Sequence, residues 1–143
     1  MNAIRDDFNP KFVYFSPVRP DELSGGTLPP ERFALHIDEA IRAYCADLLE
    51  NAAHFDFDEA LVIEQLDPLT TSGVMRIDLW VEQIDEASCT YGFLCSTPNG
   101  HAAYARGERT VTKLDPRSHR PTPWSETFRR TNAGLLRDLH AFA

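Results

Sequence analysis

The sequence predicts an α+β domain, an antiparallel sheet curled around one long helix. Residues Thr27–Asn51, TLPPERFALHIDEAIRAYCADLLEN, carry Phe33, Ile37, Ala40, Ile41, Tyr44 and Leu48 at the spacing of one helical face. No other stretch of the chain offers an apolar face of that length. Strand-like segments follow, divided by short turn sequences that favour antiparallel neighbours, so a sheet must cover the one helix.

The Pro29–Pro30 pair suits a helix start, where backbone N–H groups lack intrahelical partners, and Asn51 is a left-handed stop. Arg32, His36, Glu39, Arg42 and Glu50 are expected on the side away from the apolar stripe. Before the helix, Lys11–Val18 is β-branched and aromatic, a strand that ends near Pro17. The loop Arg19–Leu28, with Pro20 and Gly25–Gly26, joins the two.

After an acidic connection, Ala60–Leu66 reads as a short strand and Asp67–Gly73 as a turn. Val74–Ile84 alternates, with Ile77, Leu79 and Val81 on one face and Arg76, Asp78, Trp80 and Glu82 on the other. Cys89–Cys95 is a strand with Cys89, Tyr91 and Phe93 on one face, and Pro98–Asn99–Gly100 is a hairpin turn. His101–Leu114 is the last strand; Ala102, Ala103, Ala105 and Gly107 would let it pack tightly over the helix. The tail, residues 121–143, begins as proline-rich coil and is expected to form a short helix around Leu135–Leu139.

A chain of 143 residues with 43% hydrophobic content is one domain, with its core over about residues 11–120. No segment has transmembrane length, and MNAIRDDFNP has no apolar signal region. Cys45, Cys89 and Cys95 form no C-x-x-C pair and lie within apolar patterns, so buried thiols in a reducing cytoplasm are expected. The scattered histidines, among them His54, His101, His119 and His140, give no metal-ligand spacing.

A net charge of −8 argues against nucleic acid as partner. Between residues 103 and 130, however, seven Arg or Lys face three Asp or Glu, a local +4. That patch suits a small polyanion, or else a solvated, ion-paired edge.

The ordered motifs resemble the hotdog-fold acyl-CoA thioesterases of the hydroxybenzoyl-CoA thioesterase type. FVYFS resembles the family's first strand, and Phe33-Ala-Leu-His-Ile-Asp-Glu-Ala40 its helix pattern Y-x-x-x-F-E-E-A. Glu64-Gln-Leu-Asp-Pro68 resembles the D-Y-x-x-P turn, and Ala105-Arg-Gly-Glu-Arg-Thr110 the closing A-x-G-x-x-T strand. The resemblance runs from about residue 11 to 120 and implies hydrolysis of a thioester of CoA or acyl carrier protein. It implies no cofactor beyond the CoA of the substrate, and a homodimer or tetramer with shared sites. In one respect the chain departs from the family. The usual loop is D-x-D-x-x-G-H-x-N-N; here Pro17 and Arg19 stand at the aspartate positions, and the loop is about four residues longer.

Thioester hydrolysis needs a carboxylate to activate water or attack, and donors for the developing oxyanion. Asp21 and Glu22 lie nearest the family's catalytic position, and Asp21 is the first candidate; both could instead be ordinary loop acids. Glu39 is the second, since another branch of these enzymes carries its glutamate on the helix; it could equally pair with Arg32 or Arg42. Arg19 could polarise the carbonyl, as in hotdog thioesterases that resemble this chain in lacking the acid. Gly25, Gly26 and Thr27 are placed to offer backbone N–H groups, and Arg106, Arg109, Arg117 and Arg120 to hold CoA phosphates.

Two alternatives stand beside this reading. Glu31-Arg-Phe-Ala-Leu-His-Ile-Asp38 resembles the D-x-N-P-x-H-x-D run of hotdog enoyl-CoA hydratases, with Glu31 in place of the aspartate. The domain could also be a non-catalytic acyl-group-binding dimer.

Overall fold

The computed structural model describes residues 12–48, 55–57 and 61–132. Strand β1 (Phe12–Val18) leads through a 3₁₀ turn (Pro20–Glu22) to helix α1 (Pro30–Asp47). Strands β2 (Phe55–Asp56), β3 (Leu61–Gln65), β4 (Gly73–Ile84), β5 (Ser88–Ser96) and β6 (Ala103–Lys113) follow. All pairings are antiparallel, in the order β1-β4-β5-β6-β2, with β3 also paired to β6. Residues 126–132 form a second helix.

The central helix is shorter than its apolar stripe. The Leu28 N–H donates to Leu69 C=O at 3.0 Å, which keeps residues 28–29 extended, and Pro29 becomes the N-cap. The helix then runs 18 residues, about 27 Å. Leu48 is its C-cap; Asn51 lies outside the described residues, as does Leu135–Leu139.

The stripe does what its spacing dictates. Phe33, Ile37, Ala40, Ile41 and Cys45 are buried against Met75, Ile77, Leu79, Val81, Cys89, Tyr91, Phe93, Cys95, Ala105 and Val111 of the sheet. Two polar positions differ from expectation. His36, expected on the solvent side of the helix, is buried. It follows Phe33 by three residues and precedes Ala40 by four, so it borders the apolar stripe. Asp78, expected on an open strand face, is also buried: it stands in register between Val13 of β1 and Leu94 of β5 and accepts from Arg76 Nε at 2.8 Å.

The tail adds to the core. Trp124 and Phe128 are fully buried and stacked, ring centroids 4.4 Å apart, and Trp124 Nε1 donates to Ser88 C=O at 3.1 Å. The prolines of this segment carry coil, as expected, but coil that delivers two aromatic anchors.

Gly107 is a point of close approach, though to β3 and not to the helix. It pairs with Ile63, and a Cβ there would lie 1.9 Å from the Val62 carbonyl oxygen. Since that neighbour is backbone, β3 would have to move as a unit. Gly107→Ala is therefore expected to destabilise the domain by about 1–3 kcal/mol, the usual range for overpacking. Urea unfolding would measure it; an unchanged midpoint would mean that β3 yields freely.

Candidate active site

The connection from β1 to α1 is built by local chemistry. Arg19 is extended, Pro20 presets the backbone of the 3₁₀ turn, and Glu22 folds back onto its start. The Arg19 N–H donates to Glu22 Oε2 at 2.8 Å, and the Glu22 N–H to Arg19 C=O at 3.1 Å. This reciprocal capping turns the Glu22 side chain inward. The chain then reverses at Gly25 and Gly26, both at positive φ (63° and 89°), as a tight turn between Ser24 and Thr27 requires.

Inward from Glu22 runs a hydrogen-bonded chain across three elements. His36 Nε2 lies 2.6 Å from Glu22 Oε1, and His36 Nδ1 lies 2.5 Å from Ser16 Oγ. Ser16, Glu22 and His36 are all buried. An ionised carboxylate can only accept, so Nε2 carries the ring proton towards Glu22. In the neutral ring, Nδ1 then accepts from the Ser16 hydroxyl. Burial alone would raise the Glu22 carboxyl above its ordinary value of 4.5. The Arg19 N–H, the His36 hydrogen bond and the nearby Arg19 charge together outweigh burial and hold it below.

Two more polar contacts tie the helix to the sheet. Tyr14 Oη donates to Glu39 Oε1 at 2.6 Å, and that bond, with burial, pushes the phenol up to about 12. Arg109 donates from Nε and Nη2 to both oxygens of Asp38, at 2.9 and 3.0 Å, and this pair is buried. Burial raises the Asp38 carboxyl despite the guanidinium opposing it.

The expected site residues are therefore divided. Arg19 and Asp21 lie at the mouth of the junction, exposed, 3.4 Å apart as an ion pair. Glu39 is exposed and bound to Tyr14. Gly25, Gly26 and Thr27 form the exposed turn beside the helix entrance, but the Thr27 N–H is taken by Ser24 C=O at 3.3 Å. Of the basic set, Arg106 is exposed and paired with Glu64 at 2.9 Å, while Arg117 and Arg120 are exposed in the turn after β6. Arg109 alone of the four is turned inward. Ser16 and the inward role of His36 were not anticipated. A serine among the inward positions Phe12, Tyr14 and Val18 of β1, and a histidine bordering the helix stripe, are the signals that pair them.

Among the described residues no three His, Cys, Asp or Glu side chains gather as metal ligands would. No described helix is long and apolar enough to cross a membrane.

The architecture is shared with solved structures. A 1,4-dihydroxy-2-naphthoyl-CoA thioesterase from Synechocystis is 14% identical, with a TM-score of 0.70 over 91% of this chain and 98% of that one. A DHNA-CoA thioesterase from Staphylococcus aureus is 12% identical, with a TM-score of 0.72 over 91% of each chain. Another S. aureus protein, solved in complex with CoA, is 12% identical, with a TM-score of 0.72 over 90% of this chain and 85% of that one. Neither a protein-family model nor a curated protein matches the sequence. The likeness is one of architecture: the chain has the hotdog fold of these thioesterases.

Proposed function

We propose that this protein hydrolyses an acyl thioester of CoA or acyl carrier protein, with Glu22 as the carboxylate that orients the attacking water. The observation that carries the reading is the ionised, buried Glu22 carboxylate, fixed at the junction of β1, the loop and α1. With Asp21 it is one of the two acids nearest the loop positions of the family's aspartates, which hold Pro17 and Arg19 here. Asp21, exposed and paired with Arg19, adjusts the charge at the mouth, and Arg19 favours the developing oxyanion. The hydratase reading is less well supported, since His36 is bound to Glu22 while Glu31 is exposed.

The CoA-bound staphylococcal neighbour supports a CoA thioester as substrate. Arg106, Arg117 and Arg120 are the exposed guanidiniums for its phosphates, and Arg109 serves the fold. No further cofactor is needed for this chemistry. Three buried cysteines suit the reducing cytoplasm. The exposed Val62 on β3, paired on one side to β6, suits a homodimer formed through that edge. Sedimentation at micromolar concentration should show a species of twice 16.2 kDa; a lone monomer would refute the dimer.

A panel of aryl- and fatty-acyl-CoA thioesters, followed by thiol release, tests the activity. Cleavage of none would leave the acyl-binding reading in possession. For a thioester that is cleaved, kcat/KM should stay level from neutrality down to about pH 5 and fall only below the ordinary carboxyl value. The sign follows from Glu22: its lowered value keeps it ionised through that range. An activity halved already near pH 6 would point to a different group.

A further inference from the structure

Glu22, His36 and Ser16 follow the order carboxylate, imidazole, hydroxyl, the order of a nucleophilic triad. Access decides against that use of Ser16. Exposure falls inward along the chain, from 9% at Glu22 and 8% at His36 to 0% at Ser16. A substrate at the junction does not reach the Ser16 hydroxyl, which acts only through the imidazole it is bonded to.

We infer that His36 and Ser16 are positioning residues that lock the Glu22 carboxylate in one orientation at the mouth of the β1–α1 junction, an inference that rests on the hydrolase reading above. A glutamate has three side-chain torsions, and one hydrogen bond leaves its carboxylate free to swivel. The Arg19 N–H holds Oε2 and His36 Nε2 holds Oε1, which together fix the carboxylate plane. The imidazole can do this only if its own tautomer and tilt are set. Ser16 sets them from the opposite side through Nδ1. An alanine would fit the inward face of β1 with no hydroxyl to satisfy; the serine there gains its hydrogen bond to the ring. The charged groups facing Glu22 are the Arg19 guanidinium at 3.9 Å, itself shared with Asp21, and His36 from the helix. From β1 the nearest polar group of the chain is the Ser16 hydroxyl, which does not titrate near neutrality.

The test is a double-mutant cycle on the thioester that the wild type cleaves best. Ser16→Ala should lower kcat about tenfold with KM within about twofold, since orientation and not binding is lost. The acid limb of kcat/KM should move to higher pH as Glu22 loses a fixed donor. In a His36→Gln background, where an amide donates to Glu22 without needing Ser16, the further change Ser16→Ala should cost nothing. Ser16→Cys, the same shape with a somewhat larger atom and a poorer donor, should fall between serine and alanine, and it stands in should the alanine variant not fold. Unchanged kcat in Ser16→Ala, or equal losses in both backgrounds, would overturn the inference, as would an acyl group found on Ser16 by mass spectrometry. Carboxyl-carbon NMR of Glu22 reads the same coupling without turnover: its midpoint should rise in Ser16→Ala and should not move if the inference is wrong. A wild type that cleaves no thioester would sink the hydrolase reading, and this titration would still decide the coupling.

Discussion

Glu22→Gln should lower kcat by about a hundred- to ten-thousandfold, the scale of a lost catalytic carboxylate. The fold should survive it, because the hydrogen-bonded chain can reverse. The glutamine oxygen accepts from the Arg19 N–H, and its amide donates to His36 Nε2. The ring then carries its proton on Nδ1 and donates to Ser16 Oγ. Every polar group keeps a partner, so the stability loss should be about 1 kcal/mol, or a few degrees in Tm. Asp21→Asn and Glu39→Gln, made in parallel, should keep most of their activity, since one acid is at the surface and the other serves Tyr14. A dead Asp21 or Glu39 variant beside a fully active Glu22→Gln would move the carboxylate elsewhere. Loss of activity in Arg19→Ala alone would favour a cation-only mechanism.

The second large effect is on stability. Asp38→Asn takes the balancing charge from a guanidinium buried between α1 and β6, and breaking such a pair costs about 3–5 kcal/mol. For a chain of this size that is a fall in Tm on the order of 10 °C. Replacing both partners, Asp38→Leu with Arg109→Met, should recover most of it. The pair spends much of its attraction on desolvation, as the raised Asp38 carboxyl indicates, and a methionine suits the Phe57 ring that Arg109 now approaches. Calorimetry on the single and double variants checks this; a double variant no better than the single would mean that the ion pair itself is favourable.

Much of the fold was legible because its signals are local. The Phe33–Leu48 stripe, the alternation of β4, the inward row Cys89, Tyr91 and Phe93, and the turn at Pro98–Gly100 each depend on neighbours a few residues away. The site was less so. Asp38 and Arg109 lie 71 residues apart, and their meeting depends on the register of β6 over the helix. Glu22 turns inward and Asp21 outward because of one 3₁₀ turn, a difference that two adjacent acids in a loop do not announce. His36 borders the apolar stripe, where one step of helical rotation separates solvent from core. The sequence therefore singled out the β1–α1 loop, while which of its acids turns inward required the backbone.

The three cysteines have a practical bearing on all these measurements. Cys45, Cys89 and Cys95 are at most 1% exposed, and burial pushes the Cys95 thiol up to about 12 and Cys89 higher still. Only thiolates react with the disulfide dyes that report released CoA. The folded protein should thus be silent in such an assay, and the colour belongs to the product alone. The same silence makes the dye a stopwatch for opening. One reporter sits on the central helix and two on β5, so slow labelling of the resting protein would time how often each layer of the domain comes apart.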